Sequence, residues 1–129
     1  MPFARRIPPP TKAQQARQDK ARALGCIHCW MEKLIRFNEE GEAYSPAGWF
    51  QMHHQTEDGF TQSQDDSVCS CSWHHQGHCV QGKTTRQMTD AYGPSLAKGT
   101  VPFFERYGRN DVQLEFQNAL LAKREECAA

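Results

Sequence analysis

The sequence predicts a small α+β domain whose core is stabilised by a structural metal ion. A chain of 129 residues is long enough for one domain, but Leu, Ile and Val are few, so the core is thin. Cysteine and histidine are grouped in three clusters, at residues 26–29, 52–55 and 68–82. A thin core with such clusters is typical of small domains that zinc holds together.

Residues 1–24 are predicted to form a basic, partly flexible N-terminal arm. After a run of three prolines, which excludes a helix, Thr11 and Gln14 fit a capping box. The helix that starts there is expected to run to Leu24, to end at Gly25 and, because it lacks a wide apolar stripe, to be exposed. The arm carries one acidic residue and six basic ones: Arg5, Arg6, Lys12, Arg17, Lys20 and Arg22.

Charge is distributed unevenly along the chain. The formal net charge is zero, but residues 1–24 carry a net charge of +5, whereas residues 25–70, with eight acidic and two basic residues, carry −6. A cationic arm on a neutral body can bind the phosphate groups of nucleic acid in a salt-sensitive way, without reading sequence. The alternative is a solvated terminus without a ligand.

Residues 25–129 are predicted to form a single zinc-containing domain of short strands and helices. Residues 49–54 have the aromatic content of a strand, and Phe60 is expected to begin its partner strand after a turn at residues 58–59. The polar residues 61–67 are predicted to be a loop.

Four helices are predicted after that loop, from apolar spacing and from the residues that end them. A short helix begins at His74, and the later helices cover residues 85–92, 102–107 and 111–124. In the last helix four apolar side chains form one stripe: Val112, Phe116, Ala119 and Leu120.

The six cysteines are interpreted as metal ligands rather than as a disulfide framework. The N-terminus lacks the apolar segment of a secretory signal, and no apolar run approaches the roughly 20 residues that cross a bilayer. A cytoplasmic protein without a membrane partner is therefore expected. A reducing cytoplasm favours metal binding over disulfides.

Structural zinc is tetrahedral and takes Cys and His ligands in two pairs. Cys26 and Cys29 supply one pair. Cys71 and His74 are favoured for the other, because their spacing of three positions suits the first turn of a helix. Two further cysteines compete for the second pair: Cys69 and, more weakly, Cys79. Such a site contributes on the order of 10 kcal/mol to folding.

The histidines that remain are placed to hold a second metal ion. His53 and His54 are adjacent in a strand and point to opposite faces, so they cannot easily share one ion. His78 lies three positions after His75, on the same helical face. The geometry permits a metal ion held by His53 and His75, with His78 as a candidate third ligand. His54 is then free to act as a base. In the alternative interpretation these histidines are surface residues or zinc ligands.

The order of the clusters resembles that of the HNH endonucleases, also called His-Me finger or ββα-metal endonucleases. It runs C-x2-C, H-H, a polar loop and C-x2-H-H. The resemblance implies a zinc-stabilised ββα-metal core, here with a basic N-terminal helical arm and additional C-terminal helices. It implies that His54 activates water and that His53 and His75 bind a divalent ion, Mg²⁺ or Mn²⁺. It assigns structural zinc to four residues: Cys26, Cys29, Cys71 and His74.

Three downstream segments resemble the Ref-type recombination-enhancement nucleases, which are phage and prophage HNH proteins that cut DNA in a RecA-dependent manner. They are C-S-W-H-H-Q-G at residues 71–77, A-Y-G-P-S-L-A at 91–97 and F-F-E-R-Y-G at 103–108. The resemblance covers residues 25–121, and a basic arm that binds DNA is also similar to that family. It implies DNA and a RecA-type filament on single-stranded DNA as partners, in a bacterial cytoplasm.

The chain departs from the HNH pattern at the middle residue, which is usually an Asn that orients the base. The loop offers four candidates for this role: Gln62, Gln64, Asp65 and Asp66. His78 and Cys79 match no position of the pattern, and Cys69 is surplus to it.

These observations predict a metal-dependent DNA endonuclease that hydrolyses phosphodiester bonds in recombination or repair. Neutral His54 takes a proton from the attacking water, while a divalent ion stabilises the negative charge on the phosphate. The alternative hypothesis is a zinc module without catalytic activity that binds nucleic acid or a protein. A disulfide-stapled protein is a third.

Overall fold

The computed structural model describes residues 7–57, 60–61 and 63–128 of the chain. The helices are α1 (Lys12–Leu24), α2 (Ile27–Met31), α3 (Ser72–Gln76), α4 (Thr85–Tyr92), α5 (Thr100–Tyr107) and α6 (Asn110–Ala128). The strands are β1 (Arg36–Phe37), β2 (Ala43–Tyr44), β3 (Phe50–His54), β4 (Thr56–Glu57), β5 (Phe60–Thr61) and β6 (Ser67–Cys71). Single 3-10 turns cover Gln64–Asp66 and Leu96–Lys98. This mixture of short strands and helices confirms the α+β class.

The longest strand pair joins β3 to β6 in antiparallel register, with His54 opposite Ser67. The prediction that Phe60 begins the partner of the strand at residues 49–54 is wrong, because β5 pairs with Thr56–Glu57 instead. Every residue of β6 is buried, and its five residues give β3 a longer ladder than the two residues of β5. The longer pairing therefore forms the sheet that carries the site.

Helix α1 begins at the predicted capping box. The Thr11 hydroxyl accepts a hydrogen bond from the Gln14 N–H at 3.1 Å, and the Gln14 side chain accepts one from the Thr11 N–H at 2.9 Å. The expectation that the helix is exposed is wrong, because Gln18, Ala21 and Leu24 are buried where α1 packs against β6, β3 and α6. Residues three positions apart form a narrow stripe on one side of a helix, and that stripe is enough for this contact. The division of the chain at residue 24 stays a prediction.

Helix α6 turns glutamine side chains towards the core, and the predicted apolar stripe is wrong. Val112 is 48% exposed, whereas Gln113 and Gln117 are 2% and 0% exposed. The Oε1 atom of Gln117 accepts a hydrogen bond from the backbone N–H of Cys69 at 2.7 Å, and its Nε2 donates to the carbonyl of Ser67 at 3.0 Å. Within the described ranges β6 has one strand neighbour, and on its other edge the buried backbone groups of Cys69 and Ser67 find a partner in the side chain of Gln117.

The substitution Gln117→Leu is expected to lower the free energy of unfolding by about 1–3 kcal/mol, because the backbone N–H of Cys69 loses its side-chain acceptor, whereas the Ser67 carbonyl keeps a hydrogen bond from Arg17. Urea unfolding of the zinc-loaded protein measures this loss. Gln15→Leu, at an exposed position of α1, is the matched control and should stay within about 0.5 kcal/mol of the wild type. Equal losses in the two variants would contradict the role assigned to Gln117.

Helices α4 and α5 end at Tyr92 and Tyr107, as the glycines that follow them predict. Glycine is required at position 93, where φ is +93° and a Cβ would collide with the hydroxyl of Tyr107. The carbonyl of Gly93 accepts a hydrogen bond from the buried indole of Trp73 at 2.9 Å, which ties α4 to α3. In the described ranges, no helix combines the length and the hydropathy of a membrane span.

Candidate functional site

Four buried side chains meet where the start of α2 faces the start of α3: Cys26, Cys29, Cys71 and His74. The two elements present their ligands in the same local way. Cys26 precedes α2 and its Sγ accepts a hydrogen bond from the Cys29 N–H at 3.3 Å; Cys71 precedes α3 and its Sγ accepts one from the His74 N–H at 3.4 Å. A sulfur at each helix N-terminus satisfies a free N–H and lies in the favourable field of the helix dipole.

The distances within this Cys/His cluster fit a tetrahedral zinc site. All four ligand atoms lie within 4.8 Å of one another. The Sγ atoms of Cys29 and Cys71 are 3.8 Å apart, and the Nδ1 atom of His74 lies 3.7, 3.6 and 3.1 Å from the sulfurs of Cys26, Cys29 and Cys71. Zinc with bonds of about 2.3 Å to sulfur and 2.0–2.1 Å to nitrogen places tetrahedral ligands about 3.5–3.8 Å apart. The cluster therefore suits a structural metal such as zinc.

The orientation of His74 agrees with metal binding. Its Nε2 lies 2.7 Å from the carbonyl oxygen of Tyr92, which only accepts hydrogen bonds, so this nitrogen carries the proton. The lone pair of Nδ1 then points into the cluster. Metal-ligating histidines usually donate their second ring nitrogen to a carbonyl or carboxylate in this way.

The charge that the three buried thiols would carry when ionised also favours a bound cation. The thiols of Cys26 and Cys29 donate hydrogen bonds towards Cys71 and hold its pKa well below the usual range, whereas burial raises the pKa of Cys26. Ionising all three thiols in this buried pocket requires a compensating positive charge. A divalent ion would supply that charge.

Neither of the competing cysteines joins the cluster. Cys69 is buried elsewhere on β6, and burial raises its pKa to about 12, so it is a neutral thiol. Cys79 is half-buried, with its Sγ 3.8 Å from the hydroxyl oxygen of Thr85. The pairing of Cys71 with His74 is thus the one that brings four ligand atoms together.

His28 is a buried polar residue to which the sequence pattern assigns no role. Its Nε2 lies 2.8 Å from Oε1 of Gln113, whose own Nε2 donates to the Gly108 carbonyl, so His28 donates and Gln113 accepts. Its Nδ1 then accepts from the Ser70 hydroxyl at 2.9 Å. Burial, with the nearby His74, lowers the pKa of His28 to about 3, so the ring is a neutral link between α2, β6 and α6. The signal available in the sequence was its position between the two cysteines of C-I-H-C.

His53 and His75 lie side by side, with ring centroids 4.3 Å apart. His75 is held by Gln51, whose Oε1 lies 2.9 Å from the Nδ1 of His75 while its Nε2 donates to Gln76. This leaves the Nε2 lone pair of His75 free for a metal ion. Burial lowers the pKa of His53 to about 4, with the charge of His75 as a second cause, and burial also lowers the pKa of His75. Both rings are neutral at pH 7, as metal ligands must be.

The prediction that His78 lies on the same helical face as His75 is wrong. Helix α3 ends at Gln76, and Gly77 follows in the left-handed conformation, so His78 leaves the helix. Its ring lies 4.9 Å from that of Trp49 instead. Among the described residues, no third His, Cys, Asp or Glu forms a metal-binding group with the His53–His75 pair.

His54 makes its contact on the other side of β3, towards the 3-10 turn. Its Nε2 lies 2.6 Å from Oε1 of Gln64. Of the other candidates for the middle HNH position, Gln62 is outside the described residues. Asp65 accepts a hydrogen bond from Gln14, and Asp66 accepts two from Ser63. Among the described candidates, Gln64 is the one that contacts His54.

Two of the basic residues assigned to DNA binding, Arg5 and Arg6, lie outside the described residues. Lys12 is exposed at the first position of α1. Arg17 is half-buried and donates hydrogen bonds to the Ser67 carbonyl at 3.2 Å and to Oδ1 of Asn118 at 2.9 Å. It therefore helps to hold α1 against β6 and α6.

Lys20 and Arg22 form exposed ion pairs with Glu125 at 3.0 Å and with Asp19 at 3.6 Å. Exposed pairs of this kind contribute little stability, so they leave both cations available to phosphate groups.

A family model described as recombination enhancement, RecA-dependent nuclease matches residues 10–122. No curated protein and no solved structure matches the chain. The matched range includes the Cys/His cluster, the His53–His75 pair and His54, and it covers most of the chain. The chain belongs to the family of RecA-dependent nucleases of recombination enhancement.

Proposed function

We propose that this protein is a metal-dependent DNA endonuclease of the HNH class that hydrolyses phosphodiester bonds together with a RecA-type filament. The observation that carries the proposal is the contact between His53, near the end of β3, and His75, on the helix that follows β6. A strand pair followed by a helix, with one histidine from each facing the other, supports a ββα-metal arrangement. His54 is the next residue of the same strand.

In this mechanism His53 and His75 would hold a divalent ion, Mg²⁺ or Mn²⁺. When bound, such an ion stabilises the negative charge that develops on the phosphate and on the leaving oxygen. Nδ1 of His54 takes a proton from water as the water oxygen forms its bond to phosphorus. The bond from phosphorus to the leaving oxygen then breaks, that oxygen receives a proton from solvent, and protonated His54 releases its own proton to solvent. A positioned base contributes about 10²–10⁴-fold to the rate.

The remaining features have supporting roles. The zinc site fixes the start of α3 and so aims His75 at His53. Lys12, Lys20 and Arg22 contact the DNA backbone, together with Arg5 and Arg6, and these contacts do not depend on base sequence. Arg17 is also assigned to this surface, although its present bonds hold the helix in place.

The experiment is a cleavage assay with Mg²⁺ or Mn²⁺, with and without a RecA filament on single-stranded DNA. Wild-type cleavage that needs both the divalent ion and the filament is the expected result. Cleavage that does not need the filament would support the nuclease activity but contradict its dependence on a RecA-type filament. Salt-dependent DNA binding without cleavage under every condition would replace the proposal by a zinc module that binds nucleic acid. The absence of a third ligand beside His53 and His75, among the described residues, is the observation that favours this second function.

A further inference from the structure

A chain of hydrogen bonds connects His54 to the N-terminal segment. Oε1 of Gln64 lies 2.6 Å from Nε2 of His54, and it also accepts a hydrogen bond from Nε2 of Gln18 in α1 at 2.9 Å. The Nε2 of Gln64 donates to the carbonyl of Pro8 at 2.9 Å. Gln18 and Gln64 are 5% and 9% exposed, so water competes little for the bond between them, whereas the bonds of Gln64 to His54 and to the exposed Pro8 are part-buried.

These contacts determine which nitrogen of His54 carries the proton. The Pro8 carbonyl can only accept, so the NH₂ group of Gln64 must face Pro8 and its oxygen must face His54. The Gln18 NH₂ group reinforces this, because it lies near two acceptors, Oε1 of Gln64 at 2.9 Å and the Gln64 carbonyl at 3.4 Å. An oxygen that only accepts requires His54 to donate from Nε2. The lone pair of Nδ1 is then the one that can take a proton.

We propose that the N-terminal segment is part of the catalytic apparatus, because Pro8 and Gln18 fix the amide of Gln64 and thereby the tautomer and ring orientation of His54. This rests on the proposed function, in which His54 is the base. Gln64 and Gln18 are positioning residues, since they act on the reaction through His54. The N-terminal segment that carries the basic residues therefore also holds His54 in the Nε2–H tautomer, in which Nδ1 can accept a proton.

The N-terminal segment has two kinds of residue, and their losses affect different kinetic parameters. Basic residues that hold phosphate groups change the affinity for DNA, so their loss raises KM and alters the salt dependence. Residues that orient the base change the chemical step, so their loss lowers kcat at saturating DNA. Gln18 is buried and neutral, and its effect is expected entirely in kcat.

The test compares Gln18→Met and Gln64→Met, which keep the side-chain length but remove the amide, with Gln15→Met at an exposed position of the same helix. A fourth variant, Gln64→Glu, keeps an acceptor for the Nε2–H of His54. All are full-length and zinc-loaded. Cleavage gives kcat and KM, and ¹⁵N NMR of the His54 ring at about pH 8 reports the tautomer directly.

We expect kcat to fall about tenfold or more in Gln18→Met and Gln64→Met, with KM within about twofold of the wild type. In both variants the ¹⁵N spectrum should gain signal from His54 protonated at Nδ1. Gln15→Met should match the wild type, and Gln64→Glu should recover most of the lost kcat and the Nε2–H tautomer. If Gln64→Met lost activity only because it is less stable, Gln64→Glu would not be expected to recover both kcat and the tautomer.

Wild-type kcat and an unchanged tautomer in Gln18→Met and Gln64→Met would overturn the proposal while leaving the endonuclease function intact. If Gln18→Met raises KM and leaves kcat unchanged, the N-terminal segment binds DNA without positioning the base, and the proposal is also wrong. A wild-type protein that cuts no DNA, with or without the filament, would refute the proposed function and this inference together.

Discussion

Replacing His54 by alanine is expected to abolish DNA cleavage while the fold and the bound zinc stay as in the wild type. The loss of a positioned base lowers the rate by about 10²–10⁴-fold, because water must then lose its proton to solvent. His54 belongs to β3 and lies outside the Cys/His cluster, so the zinc ligands keep their positions. Its side chain is half-buried, and its contact with Gln64 is the bond that the substitution removes.

Single-turnover cleavage with Mg²⁺ or Mn²⁺ in the presence of a RecA filament measures this effect. Zinc content by elemental analysis and the unfolding midpoint in urea serve as controls for the fold. Imidazole added to the buffer should restore part of the rate to His54→Ala, since it can occupy the space left by the ring and accept the proton. Full activity in the variant would reject His54 as the base.

Removing the structural zinc is expected to unfold the domain. Binding of this kind is worth on the order of 10 kcal/mol, and a chain of this size has only about 5–15 kcal/mol of stability in total. Cys26, Cys29 and Cys71 are themselves part of the main buried cluster, together with Trp73 and Met88. Without the ion, that core contains three closely spaced sulfurs and a histidine in place of apolar side chains.

The variant Cys71→Ala tests this prediction, with Cys69→Ala as its matched control. Both cysteines are fully buried on β6, two positions apart, but only Cys71 belongs to the Cys/His cluster. Circular dichroism and zinc analysis should show an unfolded, zinc-free Cys71→Ala and a folded Cys69→Ala with one zinc ion per chain. Loss of zinc from Cys69→Ala, or a stable zinc-free Cys71→Ala, would mean that the ligand set is different.

The members of the Cys/His cluster could be predicted because their arrangement is local. A Cys at a helix N-terminus and a ligand three positions later share one turn, so Cys26 with Cys29 and Cys71 with His74 are readable from spacing. The alternative ligand Cys69 shares a strand with Cys71 but not that helical turn. The opposite directions of His53 and His54 were predictable for the same reason, since adjacent residues of a strand face opposite sides.

The sequence by itself determined the α+β class, the capping box of α1, the ends of α1, α4 and α5, and the four members of the Cys/His cluster. Each of these depends on residues within a few positions of one another. Only the tertiary structure decided the partner of β3, the burial of Gln117 and the contact of Gln64 with His54 and Gln18. From the local sequence pattern alone, a glutamine is predicted to lie on the surface. It is buried here because distant backbone and ring groups need its amide, and that need arises only when the chain is folded.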